Sequence, residues 1–130
     1  MRVEQDQRVR DYLRDIAEWS ERCARHIGDM GYAQFAGDER TLDAVCKCVE
    51  AVGTAAKNLL ELSPEIETRH PELQLRRAYS TRIRLAHGYR EIDPEILWAT
   101  ATKSLPALAE AARKVLTGSS SAGRPLDERT

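Results

Sequence analysis

The feature that most constrains this chain is a spacing. Between Val3 and Asp29 the apolar residues Val9, Leu13, Ile16, Trp19, Cys23 and Ile27 recur in steps of four, three, three, four and four. That is the period of one face of an α-helix, not the two-residue alternation of a strand. Charged residues fill the positions between them (Arg10, Asp11, Arg14, Asp15, Glu18, Glu21, Arg22, Arg25). Several are spaced for i,i+4 pairing, so the helix has one apolar stripe and one wet face. A stripe of this kind needs partners of the same period, and the rest of the chain supplies them. Leu42, Val45, Val49, Val52, Ala56, Leu59 and Leu60 form a second stripe, opened by Asp38 as N-cap and closed by Ser63-Pro64. Gly53, in its middle, costs helix stability relative to alanine and implies close approach of a neighbouring helix. Leu75, Tyr79, Ile83 and Ala86 form a third, stopped by Gly88. Asp93-Pro94 starts a fourth with Ile96, Leu97, Thr100, Leu105, Leu108, Ala112 and Leu116, which Pro106 should kink or divide. Met30 to Gly37 and Glu65 to Glu72 read as connections, with Tyr32 and Phe35 closing over the core edge. The expected fold is all-α, a four-helix bundle over residues 1–116 followed by a flexible tail, TGSSSAGRPLDERT, at 117–130.

Several functions are excluded. A chain of 130 residues has single-domain length, and a formal net charge of −1 provides no global field to attract nucleic acid. No run of eighteen apolar residues occurs, and MRVEQDQRVRD lacks the apolar centre of a signal peptide. Three cysteines do not suggest a disulfide scaffold, and a cytoplasmic location without membrane attachment is expected. Cys46 and Cys48 face nearly opposite ways on a helix and read as small buried hydrophobes. His26 and His70 have no ligand-spaced partner, and no phosphate-binding glycine loop is present. Neither a metal nor a cofactor is expected.

Positive charge is instead gathered locally. From Leu73 to Arg90 the sequence LQLRRAYSTRIRLAHGYR carries Arg76, Arg77, Arg82, Arg84, Arg90 and His87 with no carboxylate, between Glu72 and Glu91. Guanidinium groups suit phosphate, and an imidazole near a helix C-terminus titrates near working pH. Together they supply what metal-independent phosphodiester cleavage needs, a proton carrier and an anion binder. On a straight helix His87 falls about 140° round from Arg82, so the two meet only where the chain turns or across a two-fold axis. Read alone, His87 is an ordinary helix-end histidine and Tyr89 a packed aromatic with a wet hydroxyl. The arginines could form a solvated face, but for an eighteen-residue freedom from acids that tilts them toward phosphate.

Arg82-Ile83-Arg84-Leu85-Ala86-His87-Gly88-Tyr89 resembles the Arg-x4-His-x-Tyr motif of the HepT-like toxins, a branch of the HEPN superfamily. The resemblance runs from about Tyr12 to Leu108. It takes in Tyr12-Leu13 with Ile16, Phe35 through Asp43-Ala44, Gly53 with Ala55-Ala56-Lys57, and His70-Pro71-Glu72. It implies a HEPN-type helical bundle acting as a dimeric endoribonuclease toxin, with Arg82 and His87 catalytic at a dimer-interface cleft. It also implies an MntA-type nucleotidyltransferase antitoxin that attaches AMP to Tyr89. Arg76, Arg77, Arg84 and Arg90 are then candidates for RNA-phosphate contacts. The chain departs from the family pattern at Thr54 (commonly glutamate), Leu75 (often tryptophan) and Ile83 (usually polar). A second reading is a non-catalytic helical partner that presents substrate to a nucleotidyltransferase, its motif degenerate at Ile83.

Overall fold

The computed structural model describes residues 2–88 and 93–122, with the side chains of 3–82 and 93–118. Every element among them is helical. Helix α1 spans Arg2–Ile27, α2 Tyr32–Ala36, α3 Glu39–Leu62, α4 Ile66–Arg69 and α5 Leu75–Gly88, with a 3-10 turn at Pro71–Leu73. The last element is three consecutive pieces: α6 at Pro94–Ala99, a π-helical turn at Thr100–Ser104, and α7 at Leu105–Ala122. α1 packs against α3 on one side and α7 on the other, while α5 lies against α3. These long elements make the expected bundle.

The ends follow local chemistry. Gly28 stops α1 in the left-handed region at φ +55°, where a side chain would be strained. Asp38 caps α3 as expected, its carboxylate accepting from the Thr41 N–H at 3.2 Å. Asp93 caps α6, accepting from the Glu95 N–H at 2.8 Å, with Pro94 at the first helical position.

Two connections and the C-terminal end of the last helix carry more structure than their sequences suggest. Met30 to Gly37 contains α2, and Phe35 is fully buried, worth about 1.5–3 kcal/mol for such a side chain. Its ring lies 5.0 Å from that of Trp98, and Tyr32 meets Trp98 edge-on at 5.9 Å. Between α3 and α5, Ile66 and Leu73 are buried, so a segment polar at most positions is pinned at two. Helix α7 runs on to Ala122, past the Leu116 at which the sequence stripe ends.

Pro106 divides the last element by way of the π-turn. The Leu105 N–H bonds to the Thr100 carbonyl, five residues back. An i→i+5 turn holds about one residue more than an α-turn, which slows the rotation of the face. Leu97, Ala101 and Leu105, in steps of four, therefore all stay buried. Ile96, expected on the inner face, is 46% exposed, and Thr100 is only half-buried. All three cysteines are free and buried. Cys23 and Cys48 share a hydrogen bond across α1 and α3, which with burial holds the Cys23 thiol well above its ordinary range. Burial also pushes Cys46 up to about 11. Cys23 and Cys46 are thus held neutral, poor nucleophiles that serve as packing.

Candidate active site on helix α5

Helix α5 is anchored at its start. Gln74 adopts the left-handed conformation at φ +46°. Leu75 immediately follows it and is fully buried. The Glu67 carboxylate accepts from the Arg76 backbone N–H at 3.3 Å and pairs with the Arg76 side chain at 3.2 Å. A carboxylate there satisfies an orphan N–H and complements the helix dipole.

Two turns on, Arg82 meets α3 at Gly53. A Cβ built on Gly53 would stand 2.3 Å from the Arg82 Cβ and 3.0 Å from the Ala78 carbonyl oxygen. The glycine thus lets the two helices approach over the residue that matters, the close approach its mid-helix position implied. The next residue completes the seat: Arg82 Nε–H donates to the Thr54 hydroxyl at 2.8 Å. Among the described residues no carboxylate pairs with Arg82. A neutral acceptor fixes the guanidinium plane without cancelling its charge, and the four terminal N–H donors face no described acceptor.

The other predicted residues divide. Arg76 is engaged with Glu67. Arg77 donates to the Gln74 side-chain oxygen at 3.3 Å and borders a cavity of about 830 Å³ on another side of α5. That cavity is floored by Val49, Val52, Leu97 and Leu105 of α3 and the last element, with Lys103 on its wall. Arg76 and Arg77 are therefore not gathered with Arg82 around one point. Arg84 and His87 lie within α5, but their side chains are outside the described residues; Tyr89 and Arg90 are outside them altogether. The helical backbone continues through Gly88, so position 87 is about 140° round from position 82 and about 7.5 Å further along the axis.

Two features escaped the sequence reading. Thr54 is the acceptor for Arg82; the sequence marks it only as the residue after a mid-helix glycine and as a departure from the family's usual glutamate, neither of which gives it that partner. Trp19 packs against the core as its place in the stripe requires, yet it is only half-buried, with the Arg22 guanidinium 4.2 Å over its ring and the Lys47 ammonium at 6.0 Å. The Arg22 contact was legible as an i,i+3 neighbour. The Lys47 contact is tertiary. Among the described residues, no group of three His, Cys, Asp or Glu side chains has metal-binding geometry, and no helix is long and apolar enough to cross a membrane.

The sequence profile of the family described as ribonuclease HepT-like matches residues 10–115. A Thermococcus cleftensis protein named "Probable ribonuclease HepT" is 32% identical over 99 residues, covering 76% of this chain and 87% of that protein. Two Methanocaldococcus jannaschii proteins that carry RNase names are also similar. One is 31% identical over 98 residues (75% of this chain, 78% of that protein) and the other 24% over 108 (83% and 90%). No solved structure matches the chain. With the profile covering all four long elements and the seat of Arg82, the chain belongs to the HepT-like ribonuclease family.

Proposed function

We propose that this ribonuclease is a metal-independent endoribonuclease toxin that works as a homodimer in the cytoplasm. The observation that carries the reading is the seat of Arg82: a guanidinium held on one side by a neutral hydroxyl, with no described carboxylate to neutralise it. In the proposed reaction the 2′-hydroxyl of the RNA attacks the adjacent phosphorus and loses its proton to His87. Arg82 binds the charge that builds on the phosphoryl oxygens. The P–O5′ bond breaks as the leaving oxygen takes up a proton, giving a 2′,3′-cyclic phosphate and a 5′-hydroxyl. The angular separation of positions 82 and 87 on one continuous helix favours a site completed by a second copy. Arg84 and Arg90, and the less committed of Arg76 and Arg77, would hold flanking phosphates of the RNA. Tyr89, two positions past His87, is the proposed acceptor of AMP from an MntA-type nucleotidyltransferase antitoxin, which would fill the cleft with charge and bulk.

Arg82→Ala keeps the Cβ that meets Gly53, so it removes the guanidinium with little change in packing. Arg82→Ala and His87→Ala are each expected to abolish RNA cleavage and growth arrest while leaving the helical CD signal intact. Undiminished cleavage by His87→Ala would refute the assignment of His87, whereas harmless accumulation of the wild-type chain expressed without a nucleotidyltransferase would favour the non-catalytic partner reading.

A further inference from the structure

The surface that holds Arg82 continues into a second feature. Between α1 and α3 lies a cleft of about 270 Å³ lined by Tyr12, Asp15, Trp19, Lys47, Thr54 and Asn58. Thr54 belongs to this cleft and, through its bond to Nε, to the seat of Arg82. Lys47 is seven residues before Thr54 on α3, two turns or about 10 Å along the helix. The guanidinium and the cleft are thus neighbours on one face.

The lining is unlike that of a cleft between two packed helices. Trp19 presents a half-buried indole capped by a guanidinium plane, with a lysine ammonium beside it. Asn58 offers an amide with both donor and acceptor. Asp15 offers a carboxyl whose pKa is raised by partial desolvation and by the charges of Glu18 and Asp11, an acceptor that gains by meeting an N–H. Unpaired RNA bases are recognised by such sets: stacking on aromatic rings or arginine planes, hydrogen bonds to base edges, and cations for the backbone.

We propose that this cleft is a nucleobase subsite, taking one unpaired base of the RNA strand that flanks the phosphate bound by Arg82. The base stacks on the Trp19 indole where it lines the cleft, its edge meets Asn58 and Asp15, and Lys47 holds the adjoining phosphate. The inference rests on the ribonuclease reading of Arg82 and goes beyond it by naming what positions the strand. It makes the chain a reader of single strands, because a base within a duplex cannot enter.

The test uses a labelled single-stranded RNA, 2′-O-methylated so that no 2′-hydroxyl can attack, and the same strand made abasic. Binding to the full chain is followed by fluorescence anisotropy. Trp19→Leu, which keeps apolar bulk, is expected to weaken binding of the intact strand about ten-fold and leave the abasic strand unaffected, while Trp19→Phe restores most of the loss. Lys47→Ala, at an exposed position, is expected to weaken both strands and lower the salt dependence by about one phosphate contact. Equal affinities of wild type and Trp19→Leu for the intact strand would overturn the subsite. So would a Trp19→Leu loss shared by both strands and accompanied by a change in oligomeric state, which would make this face a protein interface. Cleavage of unmodified RNA by the wild-type chain, measured alongside, reports separately on the ribonuclease reading: normal cleavage with Trp19-independent binding sinks the subsite alone.

Discussion

Replacing Gly53 by alanine tests whether the seat of Arg82 depends on how closely α3 and α5 pack. The new Cβ would lie 2.3 Å from the Arg82 Cβ, 3.1 Å from its Cγ and 3.0 Å from the Ala78 carbonyl oxygen, where ordinary contact begins at 3.4 Å. The first and last of these atoms are fixed to the α5 backbone, so no rotamer change relieves them and the helices must part. Alanine's higher helix propensity returns about 1 kcal/mol. Overpacking against rigid atoms costs about 1–3 kcal/mol, and two backbone-fixed contacts put this site at the upper end. A net destabilisation of about 1–2 kcal/mol follows, read as a lower urea midpoint with an unchanged m-value. Arg82→Gly removes the tightest contact, so in that background Gly53→Ala should be nearly neutral, giving a coupling of about 1 kcal/mol or more. A midpoint for Gly53→Ala at or above wild type, or strict additivity in the double variant, would refute the reasoning.

Gly53 also marks where sequence reasoning reaches and where it ends. The stripes of α1 and α3 were legible because a long amphipathic helix repeats one signal many times, and the chain at Val45, Val49, Val52, Ala56 and Leu59 is buried as its spacing requires. A glycine in mid-helix announces a neighbour but does not say which residue arrives; that Arg82 does so is a tertiary fact. Ile96, read as an inner-face residue, is exposed, while Trp98, to which the spacing gave no role, packs on Phe35; the π-turn that follows sets a register the plain helical period does not contain. Pro106 warned of an interruption without fixing its form. Arg76 illustrates the same limit for charge. An acid-free run in sequence says nothing of acids that fold onto it, and Glu67 arrives from nine residues upstream.

Three further outcomes are expected. Asp38→Ala should cost about 1 kcal/mol, seen as a lower urea midpoint, because it orphans the Thr41 N–H at the start of α3. Asp15→Asn should raise the melting temperature at pH 7. The folded state raises the Asp15 pKa through desolvation and the charges of Glu18 and Asp11, so its ionised form opposes folding above that raised value. The gain should therefore fade as pH falls through the folded value toward the ordinary 3.8, and an equal gain at pH 3 and pH 7 would refute it. Thr54→Val is the sharpest test of the active site, since valine fills the same space and removes only the acceptor for Arg82 Nε. A guanidinium that stabilises charge in the transition state must be oriented before that charge develops. Losing the 2.8 Å bond should therefore lower kcat about ten-fold, the equivalent of ~1.4 kcal/mol, with KM little changed. Thr54→Ser keeps the hydroxyl and should cleave RNA at close to the wild-type rate. If valine and serine behave alike, the hydroxyl is not what holds the arginine in its working orientation.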